Sequence, residues 1–366
     1  MSIIIAQIAT AILYLGISVV ASVLIDKWIK HGHIVNLLLP VVLCAFFAGC
    51  RGTIGTDSLM YMTEYETIGS IQRWVDFEPG FYVIVWILKR LRLSSWWLLF
   101  TYNLLTMLFS FLAIRRIHNA TPLNTFIAVF VLMLNVYFHS WNMMRQSLAI
   151  GLCMYALSLY LTRRKCIGMC VIGLAALFHY SAIICFVFPI ADFLFRRKLA
   201  KPILWILSFF MLFAIINHNT LGEIVYKITG SAYWAMYFYR DVGVRNSLVT
   251  YFIKCLPYMI VGYLAWPHYK VNYNLKVLCS LMILGYIFSA IGSLNNTGIQ
   301  RLGYYFTYLN CFVMGFATKH RLPLFNKVYI SSKDVNKLIC MFALVLFIFN
   351  YFVKGYSNIA IYSWFL

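Results

Sequence analysis

Charge is what this chain has least of. Asp, Glu, Lys and Arg make up only 11% of its 366 residues, against about 25% in a typical soluble domain. With 63% hydrophobic residues and a mean hydropathy of +0.82, that scarcity excludes an ordinary water-soluble fold. Acidic residues are scarcer still, ten against thirty basic ones. The net charge of +20 does not imply nucleic acid, because no soluble basic segment is long enough to hold it and the Lys and Arg residues fall in short clusters between apolar runs. Other absences exclude whole chemistries. There is no Gly-rich phosphate loop, no GxSxG nucleophile elbow and no His/Cys/Asp/Glu grouping at metal-ligand spacing. The ten cysteines form no CxxC pair and lie mostly inside apolar runs, as small buried hydrophobes do. No cofactor and no metal are expected.

What is present is a succession of apolar runs of roughly 16–23 residues, the length a helix needs to cross a bilayer. Membrane-spanning backbone must satisfy its own hydrogen bonds, and runs this continuous are helices, not alternating barrel strands. The fold class is therefore all-α, a polytopic helical bundle in the lipid bilayer forming a single integral membrane domain over residues 1–366. About twelve spans are expected, near 3–25, 34–49, 94–114, 122–139, 143–161, 166–178, 181–195, 202–217, 247–266, 275–294, 301–318 and 337–353. The two short ones flanking His179 read equally as one broken helix. The first run lacks a basic leader and a cleavage site and reads as a retained helix.

Charge orients the bundle. Arg115, Arg116, Arg163, Arg164, Lys165, Arg196, Arg197 and Lys198 fall in one set of loops, which the positive-inside rule makes cytoplasmic. Asp57, Glu64, Glu66, Asp76, Glu78, Glu223 and Asp241 fall on the opposite, outer side. Two outer segments are long, 50–93 and 218–246, and they are expected to form the substrate site. Within the first, Pro79 opens an apolar stretch near 79–92 that is short for a span and reads as an interfacial or re-entrant helix. Tyr233, Trp234, Tyr237 and Tyr239 in the second suit either an interfacial belt or sugar stacking.

Several outer residues are candidates for chemistry, each with a plainer alternative. Asp57, in Gly55-Thr56-Asp57-Ser58, suits a general base acting on a sugar hydroxyl, or a turn and helix cap. Glu78 suits a carboxylate at a helix start. Arg145 and Arg301 each open a helix, where a guanidinium opposes the helix dipole unless an anion is near. Their paired donors fit diphosphate oxygens, with Arg51 as a third member of an anion clamp, and snorkelling is the alternative. His179, at the turn between two short spans, suits proton transfer or capping. Arg240 and Arg245 suit a substrate gate or a local salt-bridged loop.

These residues fall in an ordered set of short motifs. Arg51, Gly55-Thr56-Asp57 and Tyr61 come first, then Glu78-Pro79-Gly80-Phe81, Asn142-Met143-Met144-Arg145-Gln146, Leu177-Phe178-His179-Tyr180-Ser181, and Arg301 with Tyr304, Tyr305 and Phe306. The series resembles the EpsG family of bacterial exopolysaccharide proteins, which is related to Wzy-type O-antigen polymerases. The resemblance implies a GT-C-like glycosyltransferase at the outer face of the bacterial inner membrane. It would join repeat units carried on undecaprenyl diphosphate, with lipid-linked donor and acceptor as its partners. Chain-length control would fall to a separate regulator protein. Asp57, His179 and Glu78 would then be the catalytic candidates, in that order. Arg51, Arg145 and Arg301 would bind diphosphate, and Tyr61, Gln146, Arg240, Arg245, Tyr304 and Tyr305 would line the substrate path. An O-antigen ligase-like transferase shares this donor. A flippase or transporter would show internal repeats and charges within spans, and an acyltransferase would need a histidine on the cytosolic side.

Overall fold

The computed structural model describes residues 3–68, 77–196, 218–230, 248–269, 272–295, 297–325, 328–355 and 358–362. The expected gate residues Arg240 and Arg245, the aromatic run at 233–239 and the span expected at 202–217 lie outside them. The chain divides into two compact units, Met1–Cys185 with Cys311–Leu366, and Phe186–Asn310.

The first unit is built on helices α1 (Ile3–His31), α2 (Val35–Gly49), α5 (Trp96–Ala120), α6 (Thr125–Ser140), α7 (Met144–Leu161), α8 (Lys165–Phe178) and α15 (Ser332–Ile348). Two shorter helices, α3 (Ser58–Thr67) and α4 (Pro79–Arg90), lie between α2 and α5. Helix α1 buries a narrow stripe at helical spacing, Tyr14, Ile17, Ala21, Ile25 and Trp28, and leaves Ile4, Ile8, Ile12 and Val20 exposed. An apolar face that size on a solvated protein would be an aggregation hazard; on a membrane protein it meets lipid. Helix α6 is buried on nearly every side, and its last turns open into a π-helical stretch, Met133–Tyr137. The Tyr137 hydroxyl donates to the Cys44 carbonyl at 2.7 Å, tying α6 to α2. Tyr14 packs on Phe138 and Trp141, at 4.5 and 5.3 Å between ring centroids. The carboxy-terminal segment closes over the same cluster, where Tyr14 donates to the Ile359 carbonyl and Tyr362 to that of Phe47.

Helix alternation gives this unit two chemically different ends. One end gathers Asp26, Arg115, Arg116, Thr125 and Thr162. There Arg115 lies 4.4 Å from the Trp28 ring and Arg116 donates to Thr162, while Thr125 donates to Asp26. The other end gathers the turn after α2, the start of α4, the turn before α7 and the end of α8. Those four segments carry the first four sequence motifs.

In the second unit, α12 (Tyr273–Asn295) and α13 (Thr297–Thr307) pack through glycine. A Cβ on Gly285 would come within 2.6 Å of both Phe306 Cβ and Thr307 N, so no larger residue fits there. Helix α9 (Val187–Arg196) joins α12 through Asp192, which accepts the Tyr273 hydroxyl at 2.6 Å. The remaining described helices of this unit are α10 (His218–Thr229) and α11 (Leu248–Tyr269).

Several expectations change in detail. Among the described residues, four helices are long and apolar enough to cross a membrane, Ile3–His31, Trp96–Ala120, Tyr273–Ala290 and Ser332–Val353, and five more apolar helices are shorter. The run expected at 301–318 divides into α13 and α14 (Asn310–Ala317). Two short antiparallel strands, Leu322–Phe325 and Val328–Ile330, pair between the runs expected at 301–318 and 337–353. The chain around His179 does break: α8 ends at Phe178, His179 is extended, and a 3-10 segment, Tyr180–Phe186, follows.

Candidate active site

The turn after α2 is held from inside by Arg51. This side chain is fully buried, and its guanidinium donates to four acceptors. Nε reaches the Ile54 carbonyl at 3.0 Å and Nη1 that of Ala48 at 3.1 Å. Nη2 reaches the Ser58 hydroxyl at 3.0 Å and the Trp141 carbonyl at 2.6 Å. Burial pushes the Arg51 guanidinium down to about 10, so it stays charged at neutral pH. Gly55 has a φ of +98°, and a Cβ there would lie 2.9 Å from Ser58 Oγ and 3.2 Å from the Trp141 carbonyl. Only glycine fits, which accounts for its place in the motif. Arg51 therefore ties this turn to the turn before α7, and its three nitrogens point inward.

A second tie runs beside it. Asn142 Oδ1 accepts the Asp57 backbone N–H at 3.1 Å and also the Thr56 hydroxyl. Asp57 occupies the position before α3 without capping that helix; its carboxylate accepts Thr56 Oγ1 at 3.0 Å.

Glu78 is the hub of the site. Its extended backbone and Pro79 at the first helical position start α4. Gly80 lets α4 approach the end of α8, since a Cβ there would meet the Phe178 ring at 2.6 Å and the Leu177 carbonyl at 2.8 Å. That contact brings Glu78 under His179. Glu78 is 1% exposed and its two oxygens have different partners. Oε2 forms an ion pair with Arg145 Nη1, and Oε1 lies 2.6 Å from His179 Nδ1. Burial pushes the Glu78 carboxyl up, but the His179 hydrogen bond and the Arg145 charge outweigh it and leave it below the usual carboxylate range. In the tautomer with its proton on Nδ1, the imidazole donates that N–H to the carboxylate and its lone pair is on Nε2. Arg145 lies in an aromatic cradle, its guanidinium carbon 4.6 Å from the Phe77 ring and 5.7 Å from Tyr61. Its side chain is 12% exposed and that of His179 is 21% exposed, so both reach the surface while Glu78 does not.

The first unit thus brings Arg51, Asp57, Tyr61, Glu78, Arg145 and His179 to one end. Gln146 follows Arg145 on α7 and is buried. Arg301, Tyr304 and Tyr305 belong to the second unit. There Arg301 is half-buried on α13, Tyr304 stacks on Tyr308 at 5.6 Å, and Tyr305 is buried. Among the described residues, no three His, Cys, Asp or Glu side chains group closely enough to hold a metal.

The model of the EpsG family matches residues 34–364, nearly the whole chain. The chain belongs to the EpsG family. No curated protein matches it, and no solved structure does. Membership makes it a membrane protein of the polysaccharide-polymerase type. Four of the five motifs that carried the resemblance meet at one end of the first unit. Two residues there escaped the sequence reading as site residues. Asn142 was visible as part of its motif, and Phe77 only as the neighbour of Glu78.

Proposed function

We propose that this EpsG-family protein is a glycosyltransferase that joins lipid-linked oligosaccharide repeat units at the outer face of the bacterial inner membrane. The shorter apolar helices would add crossings to the four long ones, with the Glu78 end of the first unit facing outward. The growing glycan is the donor, carried on undecaprenyl diphosphate, and a sugar hydroxyl of a new lipid-linked unit is the acceptor. The acceptor oxygen attacks the anomeric carbon as the bond to the diphosphate breaks. The electron pair leaves with the diphosphate, and the acceptor proton passes to His179 Nε2.

Glu78 is the observation that carries this reading. One buried carboxylate holds a guanidinium on one oxygen and an imidazole on the other, so an anion receptor and a proton acceptor share a fixed geometry. Arg145 meets charge that develops on the leaving diphosphate. The His179 ring, oriented through Nδ1, takes the base role ahead of Asp57, whose carboxylate turns to Thr56. Glu78 acts as a positioning residue. In this reading Arg51 supports the site from inside by holding the turn that carries Asp57, and diphosphate binding falls to Arg145.

The test is polymerisation in vitro with purified protein and lipid-linked repeat units. The parent protein lengthens the glycan, whereas Arg145→Ala and His179→Ala leave single units on lipid. A purified, folded parent that leaves chain length unchanged in the presence of both substrates refutes the reading.

A further inference from the structure

Beside the Glu78 hub lies a polar group that the hub leaves unused. Tyr102, near the start of α5, is fully buried and its hydroxyl has no hydrogen-bond partner. Its ring centroid is 6.2 Å from that of Phe81 and 6.4 Å from that of Phe178. Phe81 in turn lies 5.9 Å from the Arg145 guanidinium carbon and 6.2 Å from the Tyr61 ring. The charged groups whose fields reach the Tyr102 hydroxyl are Arg145 and Glu78. Arg145 carries a second orphan. Nη1 is held by Glu78, but Nε is buried and has no partner.

Buried donors without acceptors are costly and rare. Two on side chains that both lie beside Phe81, each within the other's field, form a place for an acceptor oxygen that the protein itself does not supply. We propose that the Tyr102 hydroxyl and Arg145 Nε together hold one phosphate oxygen of a prenyl diphosphate. The class of ligand rests on the polymerase reading above. A phosphate oxygen accepts more than one hydrogen bond at once, and the Nε edge of a guanidinium offers it a charged donor.

This arrangement gives stability and binding opposite signs at one residue. Without ligand, the Tyr102 hydroxyl has nothing to donate to, so Tyr102→Phe removes an unsatisfied group and leaves thermal stability equal or higher. With ligand, the same change removes a charge-assisted hydrogen bond. The experiment uses the full-length protein in lipid nanodiscs with farnesyl diphosphate, inorganic diphosphate and farnesol as probes. Tyr102→Phe should weaken farnesyl diphosphate and inorganic diphosphate by about tenfold each and leave farnesol unchanged. Arg145→Lys, which keeps the charge and loses Nε, should weaken both phosphates at least as much.

Unchanged affinity for farnesyl diphosphate in Tyr102→Phe overturns the proposal. So does an equal loss for farnesol, or an effect confined to the prenylated ligand, since either places the hydroxyl on the lipid chain. Lower stability of ligand-free Tyr102→Phe also overturns it, because the hydroxyl then has a partner already. Glycan lengthening is read separately. Weakened phosphate binding in a protein that lengthens no glycan refutes the polymerase reading alone, and intact lengthening with unchanged binding refutes this subsite alone.

Discussion

Glu78 and His179 are joined by a 2.6 Å hydrogen bond between Oε1 and Nδ1. Its second oxygen carries the Arg145 ion pair. A carboxylate in that position sets the tautomer of the imidazole and the aim of the guanidinium at once. Its charge and its length should therefore separate in mutants.

Glu78→Gln keeps the shape and loses the charge, and it leaves the Arg145 guanidinium without a counter-ion. Glycan lengthening should fall by about 10²–10⁴-fold, the usual scale for losing general acid–base catalysis. Glu78→Asp keeps the charge but shortens the reach, and should retain more activity than Gln. Ladder length on gels and rates with purified protein check the order. Equal activity of Gln and parent would remove Glu78 from the mechanism.

Gly80→Ala tests the approach of α4 to α8. The added methyl would meet the Phe178 ring and the Leu177 carbonyl, and a carbonyl cannot rotate away as a flexible side chain can. Overpacking of this kind costs about 1–3 kcal/mol. The larger effect should be on function, because a displaced α4 draws Glu78 from His179. A folded Gly80→Ala protein with much reduced lengthening is expected, and parental activity would show that the α4 contact does not set the site.

Arg51→Leu should behave differently from Arg145→Ala. Removing the buried guanidinium strips donors from the Ala48, Ile54 and Trp141 carbonyls, at about 1–3 kcal/mol for each group left unsatisfied. Folded yield should collapse together with activity, as read by size-exclusion of a fluorescent fusion. Arg145→Ala, closer to the surface, should keep more of its folded yield while losing lengthening. A well-folded, inactive Arg51→Leu would return Arg51 to the ligand site.

The helices were legible because hydropathy alone marks them. The apolar run expected at 122–139 is the helix Thr125–Ser140, and the break at His179 was visible as two short runs. The motifs were legible as strings, and four of them do meet. Their partners were not, because hydrogen bonds such as Glu78–His179 depend on how α4 seats on α8 through Gly80 and leave no periodic trace. The surroundings of Arg51 were hidden for a related reason: an arginine buried on carbonyls and one that reaches the surface have the same letter. Tyr102 carried no signal at all, being one aromatic among many in an apolar helix.

Acid should destabilise the protein through Glu78 in a recognisable way. Its carboxyl is held below the usual carboxylate range, the His179 hydrogen bond and Arg145 outweighing burial. A group more acidic when folded contributes stability above its ordinary value, about 4.3 for Glu, and loses that contribution as pH falls through the depressed value. In detergent, the parent's thermal midpoint should therefore drop from roughly pH 5 downward more steeply than that of Glu78→Gln. At neutral pH the Gln variant should be the less stable of the two, by about 3–5 kcal/mol for a buried pair broken on one side. The two curves should draw together at low pH, where the parent's carboxyl is also uncharged. Curves that stay parallel across that range would mean the Glu78 carboxylate gains nothing from its two partners, and the hub would lose its physical basis.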